Sequence, residues 1–315
     1  MLSDVLYNIV SSNNDDEVIY FSKILWGFYK NNDISKYRNY FKNLHIVERD
    51  DLLLYGKNYP LFRSVLYFNE VPLFKSESQS ILFLKNNGFN PNAKLVNLND
   101  NERNKLGNII LNKIIAKIPK EYARYVPKLI FGKCYYLEEY NVELKEYISN
   151  LNALCKLKKY NEVEKCIIHQ KLPDEKLVKK YKLKLAKSIK LFNKKLDNME
   201  IQYTSITYNN KTYPCQYIHI KQSIFDRVKG WIFGSIDGKH YPAIVNISYS
   251  HPKINFMQPF FIFVGDEINV FARAPKLLYF KDNLTLNHLN LTGKHTYFGN
   301  WNYEIFEKFV NNKQK

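Results

Sequence analysis

Apolar positions recur at helical spacing through the first part of the chain and alternate at strand spacing after about residue 198. Val18-Ile19-Tyr20-Phe21 leads into Ile24-Leu25-Trp26 and Phe28-Tyr29. Asn31-Asn32-Asp33 breaks that run and offers an N-cap, and Ile34 to Leu44 reads as a second helix, which predicts a helical hairpin. Pro60, Pro72 and Pro91 punctuate residues 50–100, where Gly88-Phe89-Asn90-Pro91-Asn92 is a loop. Asn99-Asp100 caps a helix over Arg103 to Ile118, stopped by Pro119. Downstream the period changes. Ile201–Tyr208 and Thr212–Ile220 flank the turn Asn209-Asn210-Lys211, and Gly230–Ile236 and Lys239–Tyr249 flank Asp237-Gly238. Phe260–Val264 and Ile268–Ala274 flank Gly265-Asp266-Glu267, while Leu277–Phe280, Leu284–Leu291 and His295–Phe298 could add edges.

This pattern predicts an α+β fold. Residues 1–197 form an α-helical region, a bundle or repeat-like hairpins. Residues 198–315 form an antiparallel β domain, a small barrel or sandwich, closed by a helix over Asn302–Asn311.

The helical region ends in a segment of special composition, residues 173–197. Pro173-Asp174-Glu175 suits a helix start, with acids at the positive end of the dipole. Leu177, Tyr181, Leu185, Ile189, Phe192 and Leu196 follow at three- and four-residue steps and make one apolar stripe. Nine lysines fall elsewhere on the same helix, among them Lys179, Lys180, Lys187, Lys190 and Lys194. They are either a solvated face or a phosphate-tracking one.

The whole chain of 315 residues carries 47 Lys and Arg against 30 Asp and Glu, a net charge of +17. Seven of those cations are Arg, beside 37 Asn and 8 Ala, a balance that AT-rich codons produce without selection for a polyanion. An AT-biased virus, organelle or endosymbiont fits that usage. The shortage of Arg argues against dense bidentate reading of bases. The local lysine enrichment is harder to attribute to codon usage. No run approaches the length of a membrane span, and Met1-Leu2-Ser3-Asp4 does not open like an export signal. Four cysteines, Cys134, Cys155, Cys166 and Cys215, are too few for a disulfide framework, so an intracellular, reducing compartment is expected: cytoplasm or nucleus of a host, virion or organelle matrix.

Residues 128–169 contain an echo: Leu137-Glu138-Glu139-Tyr140-Asn141-Val142-Glu143 is followed by Leu157-Lys158-Lys159-Tyr160-Asn161-Glu162-Val163, each expected between two helices. With residues 22–42, this resembles tetratricopeptide-like helical-hairpin repeats. The resemblance implies a protein-binding groove and supplies no catalytic residue.

No phosphate loop, dinucleotide fingerprint or nucleophile elbow is present, and no cofactor is expected. Cys155, Cys166 and His169 lack a fourth ligand for zinc. Asp174 with Asp237-Gly238-Lys239 distantly fits a metal-dependent nuclease, but a helix start and a turn account for these residues. Dense aromatics in the β region, including Trp231 and Tyr241, could stack bases beside Lys229, Lys239 and Arg273. The leading expectation is a non-enzymatic accessory protein of an AT-rich virus or organelle that binds nucleic acid, DNA or RNA, or a ribonucleoprotein. A structural or assembly protein, such as a virion scaffold with protein partners, is the alternative, and a metal-dependent nuclease the third.

Overall fold

The computed structural model describes residues 2–30, 34–68, 70–220, 251–265, 268–286, 289–293 and 296–311. It has the α+β class, with helices first and a sheet closed by a terminal helix after them. The chain divides into two compact units. Unit 1 holds residues 1–68, 73–113 and 127–183, and unit 2 holds residues 69–72, 114–126 and 184–315. The division therefore falls at 183/184 rather than 197/198, and short upstream segments belong to the later unit.

In unit 1, α1 (Leu2–Ser12), α2 (Asp16–Lys30), α7 (Leu144–Lys156) and α8 (Tyr160–Ile168) bury one continuous core. Leu6, Phe21, Ile24, Leu151 and Val163 are fully buried in it. Cys155 and Cys166 lie in the same core, where each acts as a small apolar side chain. The expected helix over Ile34–Leu44 is a single short 3-10 segment, Ser35–Tyr40, followed by turns. Four further α-helices fall before residue 131 among the described residues: α3 (Leu61–Leu66), α4 (Glu77–Asn86), α5 (Asp100–Ile115) and α6 (Pro127–Ile130).

Unit 1 also contains a sheet that the helical reading missed. β1 (Ile46–Leu52) pairs antiparallel with β2 (Phe131–Leu137), which pairs with β3 (Val142–Glu143). Glu48-Arg49-Asp50-Asp51 puts four charges in succession along β1 and hides the strand period. The echo at Leu137–Glu143 is accordingly the turn between β2 and β3, whereas Leu157–Val163 is the turn between α7 and α8.

In unit 2, β4 (Gln202–Tyr208) and β5 (Lys211–Ile220) form the expected hairpin. Asn209 and Asn210 supply the two positive φ angles, 48° and 57°, that its two-residue turn requires. β6 (Phe260–Val264) and β7 (Ile268–Arg273) form another hairpin, and β8 (Asn290–Gly293) and β9 (Thr296–Trp301) extend it. Among the described residues these strands make one mixed sheet in the order β4-β5-β6-β7-β9-β8. It is not wholly antiparallel, because β5 and β6 run parallel. Residues 277–280 are not an edge strand but part of α10 (Lys276–Asp282). The expected strands at 230–236 and 239–249 lie outside the described residues.

Both faces of this sheet are covered. Phe260, Ile262 and Val264 pack with Phe192 and Leu196 on one face. Phe261 and Phe263 pack with Phe309 of α11 (Tyr303–Asn311) on the other. Double coverage is the reason that Phe260–Val264 is an unbroken apolar run rather than an alternating one.

Candidate nucleic-acid interface

The lysine-rich segment folds as α9 (Glu175–Leu196). Asp174 caps it: its Oδ1 accepts from the backbone N–H of Lys176 at 2.7 Å and of Leu177 at 3.2 Å. At the other end the Lys253 ammonium donates to the backbone carbonyl of Asp197 and, at 3.2 Å, to that of Met199. His251 Nε2 lies 3.0 Å from Asp197 Oδ1. Each terminus thus has a partner of the charge that suits the helix dipole.

Val178, Tyr181, Phe192 and Leu196 are buried, and Leu177, Leu185 and Ile189 are half-buried. The apolar stripe read from the sequence is therefore the packed face, with Val178 added to it. Lys182 leaves the solvent side and donates to the Tyr59 hydroxyl at 2.5 Å. Close by, Glu146 is buried with its Oε2 unpaired. Burial pushes its carboxyl above the usual range, Lys182 opposes that and Glu143 adds to it. Lys156 lies 5.4 Å from the Tyr181 ring centre, and burial lowers its ammonium to about 8.

Lys179, Lys180, Lys187, Lys190 and Lys194 are all exposed, and so is Lys176. At 3.6 residues per turn these six positions fall within an arc of about 100°, and from Lys176 to Lys194 the row runs about 27 Å along the axis. Among the described residues none of the six is ion-paired. Leu183, 57% exposed, lies in this row. A row of unpaired ammonium groups on one side of a regular helix can track a phosphate backbone.

The other expected contacts fare differently. Arg273 is corrected: it is 4% exposed, and its Nη2 donates to Glu70 at 2.9 Å, so it is an internal ion pair rather than a surface cation. Glu70 also holds Lys276. Lys229, Trp231, Lys239 and Tyr241 lie outside the described residues. Of the aromatics that are described, Tyr213 and Tyr217 are buried, and Tyr203 is 58% exposed.

Sequence reading missed a polar cluster inside unit 1. Lys57 is fully buried, and its Nζ reaches Asp51 Oδ2 at 2.8 Å, Tyr136 OH at 2.7 Å and Cys134 Sγ at 3.1 Å. The Tyr136 hydroxyl also donates to Asp51. Burial works to raise the Asp51 carboxyl, but Lys57, Tyr136 and the Leu52 N–H outweigh it and hold it below its ordinary value. Burial likewise works to lower Lys57, while Glu143, Cys134 and Asp51 together hold it above. Every partner lies inside the protein, so the cluster ties β1, β2 and the loop after β1 together. No signal in the sequence marks it, because Asp51 and Lys57 are charged residues of ordinary spacing.

Among the described residues, no group of three or more His, Cys, Asp or Glu is placed to hold a metal ion. No helix among them is long and apolar enough to cross a membrane.

No family model matches the chain. A protein of the archaeon Methanocaldococcus jannaschii, described as "Uncharacterized protein MJ1071", is 52% identical over 283 residues, covering 87% of this chain and 90% of that protein. The expectation of a viral or structural protein is corrected by this relative, which comes from a cellular organism.

Proposed function

The chain belongs to one family with the archaeal protein MJ1071, and from that premise we propose that it is a nucleic-acid-binding protein that holds a phosphate backbone along the lysine row of α9. The observation that carries this reading is the row itself: exposed lysines without ion pairs, on a helix whose opposite face is packed. Lysine suits this task, since it binds phosphate as a mobile point charge and a phosphate contact carries no sequence information. The net charge of +17 favours encounter with any polyanion. The role is binding, and the proposal includes no catalytic step.

The test changes Lys179, Lys180, Lys187, Lys190 and Lys194 to Gln. All five are exposed, so thermal stability should move little. Each lost duplex contact removes about 0.9 from the logarithmic salt slope, so the slope should fall by roughly 4 to 5 if all five touch phosphate. Affinity should fall about equally for all sequences. An unchanged slope would mean that the row is only solvated.

A further inference from the structure

The lysine row on α9 is interrupted. Counted along the helix axis, Lys176, Lys179 and Lys180 fall within about 6 Å, and Lys187, Lys190 and Lys194 within about 10.5 Å. Between these two triplets lies an interval of about 10.5 Å, from Lys180 to Lys187. Leu183 takes the row's place there, 57% exposed and about 10° from the midline of the row. The two lysines that the interval does contain point elsewhere. Lys182 turns to the Tyr59 hydroxyl. Lys184 stands about a quarter-turn from the midline and already interacts with another group of the protein.

A phosphate strand running parallel to the row would set phosphates over Leu183, where they would lose water and meet no charge. Lysine stems are flexible, so each ammonium can shift along the axis. What the interval decides is how many phosphates each stretch serves: three at one end, three at the other and none between. Two lines of phosphate with open space between them are what a duplex presents to a rod laid across one of its grooves. In B-form DNA the major groove is about 12 Å wide and the minor groove about 6 Å. The interval on α9 is close to the first and too long for the second.

We propose that α9 bridges the major groove of duplex DNA with one lysine triplet on each phosphate rim, an inference that rests on the backbone-binding reading above. Leu183 then lies over the open groove, whose floor is about 8.5 Å down and beyond the reach of a leucine side chain. It stays in water and reads no base. Val178, Tyr181, Phe192 and Leu196 are buried on the opposite face of the helix, so the row is left free to meet the rims. A duplex holds its two rims apart in advance. A single strand has to be ordered to skip Leu183, and that ordering costs affinity. The RNA duplex has a deep, narrow major groove and does not offer rims at this separation.

Titration of the full chain with a DNA duplex of about two helical turns, with its separate strands and with the RNA duplex of the same sequence tests the bridge. The DNA duplex should bind roughly tenfold more tightly than the strands or the RNA duplex. Changing Lys176, Lys179 and Lys180 to Gln, or Lys187, Lys190 and Lys194 to Gln, should in each case lower the duplex salt slope by about 2 to 3 and abolish the preference for duplex. Leu183→Lys is the sharper variant. It adds a cation over the open groove, so its duplex slope should equal that of Leu82→Lys, which adds the same charge at a 60% exposed leucine of α4. Both leucines are exposed, and thermal melts should show both variants folding as the parent does. A Leu183→Lys slope steeper than the Leu82→Lys control by about 0.9 places a phosphate over Leu183 and overturns the bridge. Equal or tighter binding of the single strands or of the RNA duplex overturns it too. In those outcomes, slope lost by the triplet variants still supports the row as a backbone site. Triplet variants that keep the parent's slope overturn the backbone reading itself, and the bridge with it.

Discussion

A lysine with no exposed surface is tolerable only where several groups share its charge, and Lys57 has Asp51, Tyr136 and Cys134 within 3.1 Å. Lys57→Met leaves the Asp51 carboxylate buried without its counter-ion and should cost about 3–5 kcal/mol in urea denaturation. Removing both charges, as Asp51→Leu with Lys57→Met, should recover most of that loss, since a buried pair gains little over an apolar one. The pH dependence follows from the direction of each shift. Asp51 is held below its unfolded value, so its contribution is complete above about pH 4 and is lost as the pH falls through the folded-state value. Lys57 is held above its unfolded value, so its contribution is complete below about pH 10 and is lost as the pH rises through the folded-state value. A parent protein whose acid and alkaline limbs match those of the double variant would contradict this account.

At the scale of single elements, the turn between β4 and β5 depends on two asparagines in the left-handed region. Alanine at both Asn209 and Asn210 should cost about 1–2 kcal/mol per residue, whereas Asn210→Gly should hold or raise the melting temperature. Such hairpins are legible in sequence because their signal is local, and so is α9, whose stripe and lysine row share one period. The segment at 277–280 misleads for an instructive reason. Its apolar residues read as a strand edge, but Pro275 precedes the first turn of α10 and Asn283, at φ 53°, terminates it. Those two boundary residues were the better guide. Long-range pairing leaves no such mark. Glu70, the partner of Arg273, lies 203 positions away. The lysine row was visible in the sequence and the Lys57 cluster was not, since one is a property of a helix and the other of a tertiary arrangement.

For the molecule as a whole, the change of period near residue 198 does not coincide with the division into compact units. Unit 2 takes Phe192 and Leu196 into one sheet core, and Tyr122 packs with Tyr213, Leu278 and Leu284 in another cluster. A fragment of residues 198–315 lacks all three upstream contributions and should show no cooperative melting transition. A fragment that melts cooperatively at a temperature near that of the full chain would contradict this division. The interleaving also bears on synthesis. A chain made from its N-terminus presents Tyr122 about half the chain's length before Leu284, the last of its cluster partners, is made. Unit 1 is complete in sequence once residue 183 is made, whereas unit 2 must be finished around a segment that was made much earlier.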